Sequence, residues 1–330
     1  MAHAIPRTGS GFLAKENTFG SGGAGNDFYY VPAVTMTRQP VINYATNDAG
    51  AGSSYMMNDA RPDTGYCDLT LEFKVREELL PLLLLNKYDL TSTPVVGDTD
   101  VIEHVAEYNG RNVGTTYDFI FRFSAISDES YRGFVIHDMS WTVESGQYIK
   151  VTITGRSNLM TSTSETPTIT ASPEFASRNF VYEQSIGGAS LNQFRLKAFS
   201  AQFQYGQPED TDEIGLGAFT REIGFTTADQ FSLQATALMP DYSLRDAWIA
   251  GDTFATIFGC TDTTREVVGS NTGIHPSIKV ETPYGKVTEW SEPGDMNSLR
   301  NQQYTITSLD GVGVTDAPHK ITIINNVASY

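Results

Sequence analysis

The sequence predicts a mainly β fold, built of β-sandwich or barrel-like units with short flanking helices, two related units in one chain. Three observations carry this expectation. Apolar and polar residues alternate in short segments along most of the chain. Charged residues are only 18% of the 330, while Thr, Ser, Gly, Asn and Gln are abundant, a balance suited to strands and turns. In each half, one alternating segment runs directly into a short helical one.

Residues 1–60 are polar, Gly-rich and weakly periodic, and predict an N-terminal arm with loops. A first β unit is expected over 61–158. In it Cys67, Leu69, Leu71, Phe73 and Val75 alternate with Asp68, Thr70, Glu72 and Lys74, the pattern of a half-buried strand. Arg76–Leu85 follows as a short helix, with two glutamates before the apolar residues and Pro81 tolerable only near the first turn. Residues 86–116 read as a polar loop, and Tyr117–Ile126 as a strand. The clearest element is a hairpin over Arg132–Gly155. Trp141 and Val143 precede the Ser145-Gly146 turn, and Ile149, Val151 and Ile153 follow it, each alternating with a polar residue.

Residues 159–175 are Ser/Thr/Pro-rich and predict a linker. A second unit is expected over 176–330. Phe199–Tyr205, Ile223–Phe225 and Phe231–Ala237 alternate as strands, Tyr242–Ile249 reads as helix, and Thr253–Phe258 as a further helical turn. Ile278–Glu281, Tyr304–Ser308 and Lys320–Ile324 read as short strands. Strand-into-helix segments in both halves suggest an internal duplication, although the pieces read in a different order in each.

The formal charge is −17, spread evenly: 20 acids and 12 bases up to Glu165, 19 and 10 thereafter. No Lys/Arg run is present that would neutralise phosphates, which argues against nucleic-acid binding by counterion release. Cys67 and Cys260 are too few and too distant to form a metal-ligand spacing or a disulfide framework. The start Met1-Ala-His-Ala-Ile-Pro6 lacks the features of a secretion signal. The most apolar run, Leu79–Leu85, is far below the ~20 residues of a membrane span. The expectation is a soluble protein made in a cytoplasm.

No motif points to catalysis, and no cofactor or metal is expected. Gly20-Ser-Gly-Gly-Ala-Gly25 satisfies a dinucleotide-binding pattern in form only, since a polar arm precedes it and Pro32 follows; a flexible loop is expected. His3, His104, His137, His275 and His319 are isolated, and His137-Asp138 has no nucleophile context. Gly97–Asp100 and Pro208–Glu213 are oxygen-rich without the spacing of a calcium loop, and read as solvated acidic loops. Trp141, Trp248 and Trp290 are scattered, which weakens a sugar-stacking reading.

The hairpin Gly133–Gly155, the strand-to-helix segment Tyr66–Leu85, the segment Phe219–Phe231 and the closing Ile321–Asn326 together resemble the tail tube proteins (major tail proteins) of long-tailed phages and related viruses. The similarity covers roughly residues 60–326 and rests on the pattern and order of elements. It implies a structural virion protein, not an enzyme. Its β units would form closed rings, and the rings would stack into a hollow tube for genome passage into the host. The implied location is the virion tail. The implied partners are further copies of the chain, as three double-unit or six single-unit subunits per ring, with tape measure and tail terminator or tip proteins. Viral DNA would pass through without specific binding.

In such a tube one face of the strands lines the channel. The candidates are the polar positions Asp68, Thr70, Glu72, Thr142, Glu144, Gln202, Gln204 and Glu222, which would make an acidic wall that repels DNA. The alternative reading is a carbohydrate-binding or adhesive β-sandwich module of a virion surface; a β-sandwich hydrolase is the third.

Overall fold

The computed structural model describes residues 10–23, 27–32, 34–47, 59–110, 115–122, 128–168, 173–206, 229–238, 241–293, 300–309 and 318–330. The first half holds β1 (Ser10–Lys15), β2 (Tyr29–Val31), β3 (Thr35–Asn47), β4 (Asp59–Lys74), α1 (Leu80–Leu84), β5 (Tyr88–Val95), β6 (Asp98–Tyr108), β7 (Tyr117–Arg122), β8 (Glu129–Glu144), β9 (Lys150–Ser157) and β10 (Thr161–Ser162). The second holds β11 (Phe180–Ile186), β12 (Asn192–Gln193), β13 (Leu196–Gln204), β14 (Gln230–Leu238), α2 (Ser243–Ala250), β15 (Phe254–Thr261), β16 (Ser277–Ser291), β17 (Asn301–Ser308) and β18 (Lys320–Asn325). The fold is mainly β, as the alternation predicts, and every pairing among the described strands is antiparallel.

The pairings of the two halves correspond. In the first, β1 pairs with β2 and β7, β4 with β3 and β9, and β8 with β7, β9 and β10. In the second, β11 pairs with β12 and β15, β14 with β13 and β17, and β16 with β15, β17 and β18. Among the described strands only the hairpin β5–β6 has no counterpart. The helix follows the equivalent strand in each half, β4 or β14. The different order of pieces read from the sequence is therefore corrected: the order is the same, and the inserted hairpin together with an unrecognised N-terminal strand set obscured it.

One further pairing joins the halves. β13 lies along β8, from Ala198 opposite Glu144 to Gln204 opposite Asp138. The result is a continuous eight-stranded sheet in the order β3-β4-β9-β8-β13-β14-β17-β16. β8 and β16 are long because each serves two layers. The first part of β8 pairs with β7 and β10, and its last part with β9 and β13. β16 likewise runs from β15 and β18 to β17. β6 extends the second outer layer by pairing with β18.

The core lies between the eight-stranded sheet and these outer layers. Leu69, Leu71 and Phe73 on β4, Met139, Trp141 and Val143 on β8, and Leu233, Ala235 and Ala237 on β14 are buried, and their intervening neighbours are not. Phe258 on β15 meets Trp141 edge-on at 6.1 Å and Phe199 at 4.8 Å, tying the layers together. Full burial of each such large side chain stabilises by about 2–3 kcal/mol. α1 is buried along its whole length, and Pro81 sits in its first turn where no backbone donor is lost.

Four expectations change. Residues 10–47 carry three strands instead of a loose arm. Residues 86–116 contain a hairpin, hidden because Thr91–Pro94 is an exposed edge and because Asp98 and His104 occupy buried places. The segment Thr253–Phe258 runs into strand β15, which begins at Phe254; Thr256 is buried beside Phe254 and Phe258, so a polar residue sits on the apolar phase. The described part of the glycine loop, residues 20–23, is held in place: Gly20 and Gly22, at φ 70° and 85°, donate their N–H groups to the Glu16 carboxylate at 3.0 and 2.9 Å, and Ala24 and Gly25 lie outside the described residues. Ile223–Phe225 lies outside the described residues. The 159–175 linker contains the short β10, and Phe175 is buried where it bonds Val75 and Ile149 through the backbone.

Candidate functional site

The eight-stranded sheet turns one face to the core and the other away from it. Period-two alternation places Asp68, Thr70 and Glu72 of β4, Thr142 and Glu144 of β8, and Gln202 and Gln204 of β13 on that second face. Seven candidates read from separate stretches of sequence therefore share one surface. Glu222 lies outside the described residues.

The register aligns them in rows. Thr37, Thr70, Thr154, Asp138, Gln204 and Gln230 stand opposite one another across six strands. A second row runs Thr35, Glu72, Thr152, Ser140, Gln202, Ser232, Thr307 and Lys286. A third runs Lys150, Thr142, Ser200, Gln234, Thr305 and Glu289. The surface is thus a carpet of hydroxyls and amides with isolated charges. Sequence reading missed its β17 share, Gln303, Thr305 and Thr307, although their alternation with the buried Tyr304 and Ile306 was available as a signal.

The charges on this face are largely balanced. Asp68 accepts from Arg156 Nε at 2.9 Å, and Glu72 from Lys150 Nζ at 2.9 Å. That hydrogen bond to Glu72 holds the Lys150 ammonium above its ordinary range. Asp138 is shifted up by burial, while Thr154 Oγ1 donates to it at 3.2 Å. With Glu144, Glu289, Lys74 and Lys286, acids and bases on the described face nearly cancel, so this face is polar more than acidic. The chain's negative excess is carried elsewhere.

The histidines sit apart. His137 is buried in a bulge of β8 and His104 lies between Ser92 Oγ and Asn325 Oδ1. His319 is hydrogen-bonded through Nε2 to the Tyr88 hydroxyl at 2.5 Å, and His275 through Nδ1 to the Arg265 carbonyl oxygen at 2.5 Å. His3 lies outside the described residues, as does the acidic loop 208–213. In the other acidic loop, Asp98 Oδ2 accepts from Ser270 Oγ, the Asn271 N–H and Thr272 Oγ1, so it clamps the 270–272 loop. Among the described residues no three His, Cys, Asp or Glu side chains converge to hold a metal, and no helix is long and apolar enough to cross a membrane.

Comparison with protein-family models and with curated protein sequences gives no match.

Proposed function

We propose that this chain is a structural virion protein, the tail tube subunit of a long-tailed virus, whose copies form rings that stack into a hollow tube for genome passage. One observation carries the reading. Two strand groups with the same connectivity, β3-β4-β9-β8 and β13-β14-β17-β16, lie edge to edge in a single sheet whose outer face is mostly polar, with Val41, Ala198 and Leu238 as apolar exceptions. A sheet of that kind meets neither of the usual ends of a globular protein: among the described residues it is neither closed nor packed on its second face, and β3 and the Lys286–Ser291 part of β16 pair on one side only.

Closure into a ring removes both open edges and turns the polar face into the wall of a channel. Three copies would give a ring with pseudo-sixfold symmetry, each chain supplying two units that descend from a duplicated ancestor. A hydroxyl- and amide-lined wall whose acids and bases nearly balance offers DNA phosphates no continuous cationic track, so the genome slides.

The test is negative-stain microscopy of the purified protein. Hollow tubes, with three full-length chains per ring in projections down the axis, are the expected result. A compact monomer at all concentrations would overturn the reading, and six full-length chains per ring would overturn the duplication alone.

A further inference from the structure

We infer that the free edge of β3 in one copy docks on the free edge of β16 in the next, in the register already used inside the chain between β13 and β8. The inference rests on the ring reading above and specifies its interface.

The equivalence of the two halves is fixed residue by residue. Between β8 and β9 one extra residue, His137, is bulged out between Ile136 opposite Gly155 and Asp138 opposite Thr154. Between β16 and β17 the extra residue is Thr288, between Val287 opposite Ile306 and Glu289 opposite Thr305. Gly155 and Ile306 in turn face Leu69 and Leu233, which face Arg38 and Ala201. Asp138 thus corresponds to Glu289, Met139 to Trp290, Gln202 to Gln39, Phe203 to Pro40 and Tyr205 to Ile42.

Within the chain, β13 covers the β8 edge. Met139 faces Phe203, Ser140 faces Gln202, and the Tyr205 N–H donates to the His137 carbonyl at 2.6 Å. Transferred to the outer edges, Pro40 of one copy meets Trp290 of the next, Gln39 meets Ser291, and the Ile42 N–H meets the carbonyl of bulged Thr288. Arg38, already paired with Glu129 in its own chain, then stands opposite Glu292, already paired with Arg300 in its own. Pro40 takes a place whose backbone N points to the neighbour, so it removes one bond from the seam and none from the sheet of its own chain.

The side chains on the two edges fit this assignment. Met139 and Phe203 are buried at the inner junction. At the outer edges the equivalent side leaves Ile42 and Tyr44 42% and 56% exposed on β3. Beside β16, α2 leaves Ile249 71% exposed, next to Trp248 stacked on Trp290 at 6.1 Å. α1, the counterpart of α2, is fully buried. Two different apolar patches on opposite edges make a head-to-tail contact, the type that closes into rings.

The experiment is disulfide trapping of the full chain. Gln39 and Ser291 fall at a non-hydrogen-bonded pair, where Cα atoms are about 4.5 Å apart and a disulfide is readily bridged. Native Cys67 and Cys260 are buried and stay out of the reaction. The Q39C/S291C variant should cross-link into a ladder ending at the closed ring under mild oxidation, whereas Q39C/E289C, displaced by two residues, should not. I249D should abolish assembly while the monomer's thermal melting is unchanged. Normal tubes from Q39C/S291C without cross-links, cross-linking only of the displaced pair, or tubes from I249D would overturn the junction and leave the tube reading intact. A parent protein that never assembles and never cross-links would overturn both.

Discussion

His137 and Thr288 hold the same place in two different groups of strands. Each is the single extra residue of a bulge, and each bulge falls where a long strand passes from an outer layer into the eight-stranded sheet. A bulge adds local twist and bends its strand, which is what such a crossing requires. The bulged residue is not shared, while its neighbours are alike in kind, Ile136 and Val287 before it and Asp138 and Glu289 after it, so the feature belongs to the backbone path and its flanks and not to the bulged side chain.

The strand opposite the first bulge supplies a stability prediction. A Cβ on Gly155 would lie 2.0 Å from the Val135 carbonyl oxygen, and one on Gly259 would lie 2.0 Å from that of Ile278. Both contacts are with backbone, which cannot swing aside. Gly155→Ala and Gly259→Ala should each cost on the order of 3 kcal/mol or more, read as a large fall in the thermal midpoint. Gly146→Ala, where a Cβ meets nothing within 4 Å, should cost only the strain of its φ of 78° and serves as the comparison.

Much of the fold was legible because most core strands keep their period. Leu69-Leu71-Phe73 and Phe231-Leu233-Ala235 announce themselves, and so do both helices. The outer layers were less legible. Thr256, Ser185, Gln184 and His104 are buried polar residues held within strands, and each breaks the alternation that marks a core face. The shared surface of Asp68, Thr142 and Gln202 could not be read at all from local pattern. It depends on β8 pairing with β13, a contact between residues some sixty positions apart that only the register reveals.

Acid should destabilise the chain through His319. Burial keeps its imidazole neutral and lowers its pKa from 6.5 to about 3, where it stacks on Phe231 at 5.0 Å. The unfolded chain takes up a proton near pH 6.5 and the folded chain does not. Its contribution is therefore complete above that pH and is lost as the pH falls from 6.5 toward 3, at about 1.4 kcal/mol per pH unit. His104, shifted down by the same cause, adds in the same direction. His319→Gln should flatten the thermal midpoint against pH between 6 and 4. An unchanged slope would show that another group carries the acid sensitivity.

Arg265 joins distant parts of the chain. Its two terminal nitrogens reach the Glu77 carboxylate at 2.7 and 2.8 Å, and Nε reaches Asp262 at 3.0 Å. Both carboxylates are at most one-tenth exposed, so Arg265→Ala strands two buried charges and should cost on the order of 3 kcal/mol. Arg265→Lys should recover only part of this, since an ammonium cannot make the paired contact with Glu77. Chemical denaturation of the three proteins side by side provides the measurement.

The proposed sliding of DNA through a tube of this chain can be tested on the assembled protein. Glu144 and Gln202 are exposed and stand on the polar face of adjacent strands, β8 and β13. Glu144→Lys with Gln202→Lys changes that face by three positive charges per chain, and surface substitutions of this kind shift stability by less than about 0.5 kcal/mol each. Tubes should therefore still form and melt as before. Parent tubes should release double-stranded DNA fragments during gel filtration. Tubes of the double variant should retain them, and retention should fall steeply as salt rises, because lysines that neutralise phosphates bind through counterion release. Retention by parent tubes at moderate salt would mean that the wall attracts the genome, and a polar, charge-balanced surface would no longer account for passage. Release from both proteins would place Glu144 and Gln202 away from the channel, on the outside of the tube.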